Sequence, residues 1–207
     1  PAKILAVVKA DAYGHGAVAV ARALELEGSD AIAGLAVATA EEAIELREAG
    51  VRARILILSP LPPEAAPALR KYQLTPVISS VESLGALKAF SKGTDWVAPL
   101  HLKFDTGMSR LGIDAREASS LFELLRSSPE VRLEGVLSHL AEAETPESES
   151  NRLQQDRFAE ILALLSAEEL ASCSIHLANS AAALHLPAAR FDWVRLGIAL
   201  YGYDSAG

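Results

Sequence analysis

The chain has 207 residues, half of them hydrophobic and 22% charged, the profile of a globular protein with room for one sizeable core. Its 19 basic and 27 acidic residues leave a net charge of -8, which gives no general attraction for nucleic acid, and no basic patch interleaved with aromatics offsets it. No apolar run approaches the roughly 20 residues of a membrane span, Ile4 to Val8 is too short for a signal peptide, and the single cysteine, Cys173, excludes an internal disulfide.

A protein of the cytoplasm, with neither nucleic-acid nor membrane partners, is therefore expected. Cys173 reads as a buried small hydrophobe rather than a nucleophile. Pro1 in the first position, where a methionine would start a full reading frame, leads to the expectation of a piece of a longer chain.

Short β-branched or apolar runs alternate with amphipathic helical patterns. The predicted elements, in chain order, are a strand over Ile4–Val8, a polar glycine-bearing turn, and a helix over Ala17–Leu26. A strand over Gly34–Val37 and a helix over Ala40–Ala49 follow. Here Thr39 and Glu42 have capping-box spacing, and Gly50 falls where a left-handed helix stop belongs. Next come a strand over Arg54–Leu58 with a helix over Glu64–Lys71, and a strand over Thr75–Ile78 with a helix over Val81–Phe90. The strand Leu100–Phe104 leads to a helix over Arg116–Arg126, where Asp114 and Glu117 again have capping-box spacing. The strand Leu133–Ser138 is followed by the acidic, Pro-broken stretch Glu142 to Ser150, read as a flexible solvated loop, and by a helix over Arg152–Leu165. The strand Ser174–Leu177, a helix over Ser180–Leu184 and the strand Asp192–Arg195 complete the series. Eight strand–helix units in one chain of this length predict an α/β fold, a single (β/α)8 TIM-type barrel over residues 1–207; an open doubly wound sheet is the competing arrangement.

In such a barrel the chemistry gathers at the carboxyl ends of the strands. Those ends carry Lys9, Leu58, Lys103, His139, Asn179 with Ser180, and Arg195. A lysine closing a buried strand is desolvated, which favours the uncharged amine that attacks an aldehyde to form a Schiff base. The plainer alternative is a lysine snorkelling from a strand end. The loops after the seventh and eighth strands are where barrels most often hold phosphate. Ser180 opens a helix whose first amides can face an anion, and Gly197 allows close backbone approach. Read alone, they are a helix cap and a turn.

Taken together, five blocks resemble those of the alanine racemases, enzymes dependent on pyridoxal phosphate. They are Ala6-Val7-Val8-Lys9-Ala10-Asp11-Ala12-Tyr13-Gly14-His15-Gly16, the run Leu102 to Gly112 with Lys103 and Arg110 seven apart, Gly135-Val136-Leu137-Ser138-His139-Leu140-Ala141, His176-Leu177-Ala178-Asn179-Ser180-Ala181, and the run Val194 to Gly202. Ser109 and Ser138 stand where Gly and Thr are the commoner residues of the family. The resemblance implies that Lys9 carries the cofactor as an internal aldimine and acts as one of two bases. It implies that Tyr13, Ser180, Gly197 and Ile198 bind the phosphate, with Asn179 beside them, and that Leu58 packs on the ring. Arg195 would donate to the pyridine nitrogen and His139 would orient it. Arg110 would face the cofactor's phenolic oxygen and the substrate carboxylate, and Lys103 would be the lysine that is carbamylated in many members. No metal is expected.

The resemblance also implies alanine as substrate, D-alanine for cell-wall peptidoglycan as product, and a homodimer. The second base would be a tyrosine in a carboxyl-terminal β domain of the partner subunit. That domain and the helix preceding the first strand are not recognisable here, so the chain is expected to be inactive alone. His101, His176 and His185 have no matched role and read as satisfied or surface residues; Trp96, Trp193 and Tyr201 read as packing, and Asp105 as turn chemistry. Two other readings stay open: another racemase or a decarboxylase on the same barrel, and a non-enzymatic pyridoxal-phosphate-binding protein.

Overall fold

The computed structural model describes residues 1–205. The apolar runs form β1 (Lys3–Val7), β2 (Ile32–Val37), β3 (Ile55–Ile57), β4 (Thr75–Ile78), β5 (Ala98–Asp105), β6 (Ile113–Asp114), β7 (Val131–Leu137), β8 (Ser174–His176) and β9 (Trp193–Leu196). Eight are hydrogen-bonded in the order β8-β7-β5-β4-β3-β2-β1-β9, all parallel, and β6 is a two-residue spur on β5 that the sequence did not announce. The sheet curls into a nearly closed barrel. At its seam β8 and β9 are joined by Asp192 N–H to Ile175 O (3.0 Å) and Arg195 N–H to Ala178 O (2.9 Å). The Asp192 carboxylate also accepts from Ile175 N–H at 2.8 Å.

Period-two alternation divides the core. Leu5, Val7, Ala36, Leu56, Val77, Leu137 and Trp193 form one buried cluster drawn from six strands, the barrel interior. Their neighbours Ala6, Val8, Leu35, Val37, Ile55 and Ile57 belong to the larger cluster shared with the helices. Those helices are α1 (Lys9–Gly14), α2 (Ala17–Glu27), α3 (Ala40–Glu48), α4 (Ala66–Lys71), α5 (Val81–Ser91), α6 (Ala118–Arg126), α7 (Glu149–Leu162), α8 (Ala167–Ser172) and α9 (Ser180–His185). Among the described residues no helix is long and apolar enough to cross a membrane.

Several local expectations are corrected. The glycine-bearing turn after β1 is a left-handed helical turn: Ala10, Asp11, Ala12 and Tyr13 all have φ between 50° and 55°. Such a conformation costs about 1–2 kcal/mol for each L-residue with a side chain, so bonds from outside must hold it. The Thr39–Glu42 capping box is present, and Gly50 takes the left-handed stop with φ 86°. Asp114 makes no capping box with Glu117; its carboxylate instead accepts from Arg116 N–H and pairs with the Arg116 guanidinium. A second capping box, Ser166 with Glu169, opens α8, which ends the expected long helix at Leu162. The acidic stretch is pinned: the buried Asn151 amide donates to Glu142 O and Thr145 O at 3.1 and 2.9 Å.

Candidate active site

The carboxyl ends of the strands open on a cavity of about 440 Å³. Lys9 and Tyr13 reach it from the turn after β1, and Leu58 from the end of β3. Lys103 comes from β5 and Arg110 from the loop beyond it, and His139 from just past β7. Asn179 and Ser180 come from the start of α9, and Arg195, Gly197 and Ile198 from β9 and the turn after it. All eleven positions expected from the sequence thus line one cavity. Lys9 is exposed at the mouth rather than buried, because β1 ends at Val7 and the chain leaves the barrel there. Ala38, Ser59, Leu111 and Glu144 of the acidic stretch line the same space, and nothing in their local pattern marks them for it.

Arg195 dominates the inner wall. It is 5% exposed, and no carboxylate bonds to it among the described residues. Nη1 donates to His176 O at 2.9 Å and to His176 Nδ1 at 3.1 Å. Nη2 faces Ser138 O at 2.7 Å, Leu177 O at 2.8 Å and His139 Nδ1 at 3.2 Å. A guanidinium only donates, so both imidazoles present lone pairs to it. The proton of His176 then sits on Nε2 and is donated to His101 Nδ1 at 2.9 Å. The last proton of the chain, on His101 Nε2, is buried without a partner among the described residues. Trp193 lies against both imidazoles, 5.5 Å from each ring centre.

His101 and His176 are therefore not spare residues, as they read in the sequence; they form a directed chain beneath Arg195. Burial, reinforced by Arg195, pushes His139 and His101 down to about 3, and His176 well below its ordinary value. Desolvation lowers Arg195 to about 10, still cationic at neutral pH. Lys103, 7% exposed, is lowered to about 8 by burial and by Arg195, partly offset by Asp105, and its ammonium donates to Leu111 O. His185 instead pairs with Asp204 at 2.7 Å.

The opposite wall is built for close approach. Asn179 caps α9 by accepting from Ala182 N–H at 3.0 Å, which frees Ser180, its first residue, for another task. Ser180 Oγ accepts from Gly197 N–H at 3.0 Å and Ala199 N–H at 3.3 Å. A Cβ on Gly197 would overlap the Tyr13 hydroxyl, so only glycine lets these two segments meet. Behind His139, the buried Gln154 donates to its carbonyl at 2.9 Å and accepts from Ala141 N–H at 2.8 Å, a support no local pattern signalled.

The family described as "Alanine racemase, N-terminal domain" matches residues 1–205. The chain is 44% identical over 200 residues to an alanine racemase of Synechocystis sp., covering 96% of this chain and 53% of that protein. Its fold is similar to that of an alanine racemase of Clostridium difficile, with a TM-score of 0.90 and 36% identity over 98% of this chain and 52% of the other. It is also similar to an alanine racemase of Bartonella henselae with covalently bound pyridoxal phosphate, with a TM-score of 0.88 and 32% identity over 100% of this chain and 58% of the other. The chain spans about half the length of the curated relatives it matches. With the barrel, the site blocks and the family match in agreement, the chain belongs to the alanine racemase N-terminal domain family.

Proposed function

We propose that this chain is the cofactor-bearing barrel of an alanine racemase that interconverts L- and D-alanine with pyridoxal phosphate. The reading extends to a cytoplasmic homodimer whose D-alanine serves peptidoglycan synthesis. The observation that carries it is the meeting of a lysine, Lys9, and a carboxylate-free buried guanidinium, Arg195, on one cavity. The residues present fit the group. A cavity of about 440 Å³ is within the range of small-molecule sites. Its cations Lys9, Lys103, Arg110 and Arg195 suit a ligand carrying a phosphate and a carboxylate. The Ser180–Gly197–Tyr13 corner approaches as closely as phosphate-holding backbone requires.

When bound, pyridoxal phosphate supplies an electron sink for the α C–H bond of an amino acid, a weak sink while its ring nitrogen is unprotonated. The reading assigns Lys9 Nζ to anchor it and to carry the α-proton on one face. Arg195 Nε, the one guanidinium N–H group without a protein partner among the described residues, would donate to the ring nitrogen and keep its proton. His139, His176 and His101 stay neutral and hold Arg195 as acceptors, directly or in series. Tyr13, Asn179, Ser180, Gly197 and Ile198 would hold the phosphate and Leu58 the ring face. Arg110 would take the substrate carboxylate, and Lys103, once carbamylated, would hold Arg110. Inversion needs a proton to leave one face and return on the other. The second base is assigned to the part of the relatives that this chain does not cover.

The test is borohydride reduction of the cofactor-loaded protein at the relatives' full length, followed by peptide mapping. Label on Lys9 is expected, because an imine reduces to a stable amine; label on Lys3 or Lys103 would overturn the reading. In parallel, the isolated chain should not racemise alanine, and racemisation at the full-length rate would place both bases within these residues.

A further inference from the structure

We infer that Glu42 is a positioning residue for Lys9: its carboxylate clamps the left-handed turn from which Lys9 and Tyr13 reach the cavity. The inference rests on the reading of Lys9 given above and extends it to a residue outside the cavity. A capping box needs one carboxylate oxygen on the N-cap amide, and Glu42 Oε2 provides it, accepting from Thr39 N–H at 3.2 Å and from Ala38 N–H at 2.6 Å. The other oxygen is surplus to that motif. Oε1 leaves α3 and accepts from Ala10 N–H at 2.8 Å, on the first left-handed residue of α1.

Entry to the turn is otherwise held two residues earlier, where Val8 N–H donates to Ala36 O of β2 at 2.8 Å. Ala10 and Asp11 are exposed, so side-chain packing does not fix them. Ala12 N–H bonds to Val8 O at 2.9 Å within the turn. The exit is closed by Asp11, whose Oδ1 accepts from Ala17 N–H at 2.6 Å and whose carbonyl accepts from Gly16 N–H at 2.9 Å. Glu42 and the Val8 amide both tie this segment to the β2 unit, and they bracket Lys9: Val8 precedes it and Ala10, held by Glu42, follows it, while Tyr13 and His15 pack on Tyr201 farther along. Through Ala38, which lines the cavity, the same carboxylate spans the loops after β1 and β2.

Glu42→Gln separates the two roles. Glutamine fills a capping box, and with its one carbonyl oxygen kept on the two amides of Ala38 and Thr39 its nitrogen sets a donor against Ala10 N–H. In the full-length protein, Glu42→Gln should lower kcat about tenfold or more, with a much smaller change in KM, as expected of a misplaced reacting group. It should also speed hydrogen exchange at the Ala10 amide in the cofactor-free protein. Thr39→Ala weakens the cap of α3 and should leave both readings unchanged. Ala10→Gly, which tolerates the left-handed conformation, should recover part of the loss when added to Glu42→Gln. A Glu42→Gln protein with wild-type kcat and wild-type Ala10 exchange would overturn the inference. So would an Ala10 amide in the wild-type protein that exchanges as fast as an unbonded one, a measurement that needs no variant. Borohydride label away from Lys9 would instead overturn the reading on which the inference rests, and the Ala10 exchange would still test the clamp.

Discussion

The three histidines around Arg195 make a specific demand on the pH dependence of stability. Folded, His101 and His139 stay neutral down to about 3, and His176 lies well below its ordinary value, all chiefly through burial. Unfolded, each titrates near 6.5. The folded state therefore binds fewer protons than the unfolded one between these limits, and stability falls as pH drops through 6.5. His101 and His139 each cost about 1.4 kcal/mol by pH 5.5 and about 2 kcal/mol by pH 5.0, about 4 kcal/mol for the two, and His176 adds to the loss in the same direction. A domain has about 5–15 kcal/mol in all, so unfolding near pH 5 or somewhat below is expected. Carboxylates do not confuse the window. Asp114 and Glu169 are held near 2 by hydrogen bonds from Arg116 and Arg126, and their contributions are lost only below about pH 4. Urea unfolding at pH 7.5, 6.5, 5.5 and 5.0 should give a slope approaching three protons at the acid end. His101→Gln, which keeps an acceptor for His176 Nε2, should reduce it by one. Stability that stays flat over this range, or a slope indifferent to His101→Gln, would refute the neutral-imidazole chain.

Gly197→Ala should displace the Tyr13 hydroxyl and weaken phosphate or pyridoxal-phosphate binding at least tenfold while changing the urea midpoint little, since the collision is with a partly exposed side chain; calorimetric titration would check it. Arg47 donates to Val51 O, Ala53 O, Tyr72 O and Gln73 O, at 2.7 to 3.2 Å, and ties α3 to the entries of β3 and β4. Its replacement by Ala should cost about 2–4 kcal/mol in urea unfolding, and a loss under 1 kcal/mol would contradict that role. Asn179→Ala removes the cap of α9 and should cost about 1 kcal/mol by the same assay.

The strands were readable because each is a short apolar run, and reading the residues at or just past their carboxyl ends collected Lys9, Lys103, His139 and Arg195. The Thr39–Glu42 spacing correctly foretold a capping box, yet only one of the two oxygens obeyed it; the bond to Ala10 crosses 32 positions that no local pattern spans. The hand of α1 was illegible for a different reason. A four-residue separation puts Lys9 and Tyr13 on one side of a helical turn of either hand, and Ala-Asp-Ala carries no glycine to mark positive φ. His101 and His176 were passed over because a histidine in an apolar strand has no meaning alone. Their sense comes from a pairing across 75 positions and from a neighbour that can only donate. Asp114 caps its turn through the amide of Arg116 and pairs with the Arg116 guanidinium, so the capping box with Glu117 that its spacing suggested does not form.

On the reading proposed above, an anion held at Ser180 and Gly197 would compete with the Ser180 hydroxyl for the amides it now satisfies. Those amides, of Gly197 and Ala199, belong to the far side of the β8–β9 seam. An oxyanion that binds there need not organise these donors or strip them of water; it exchanges one acceptor for another and releases a hydroxyl that can turn to become a donor itself. The same substitution moves the stitch across the barrel's least paired edge from a serine to the ligand. Occupancy and closure of that edge then become a single equilibrium, and ligand should protect the amides of Gly197 and Ala199 from exchange more strongly than the serine does.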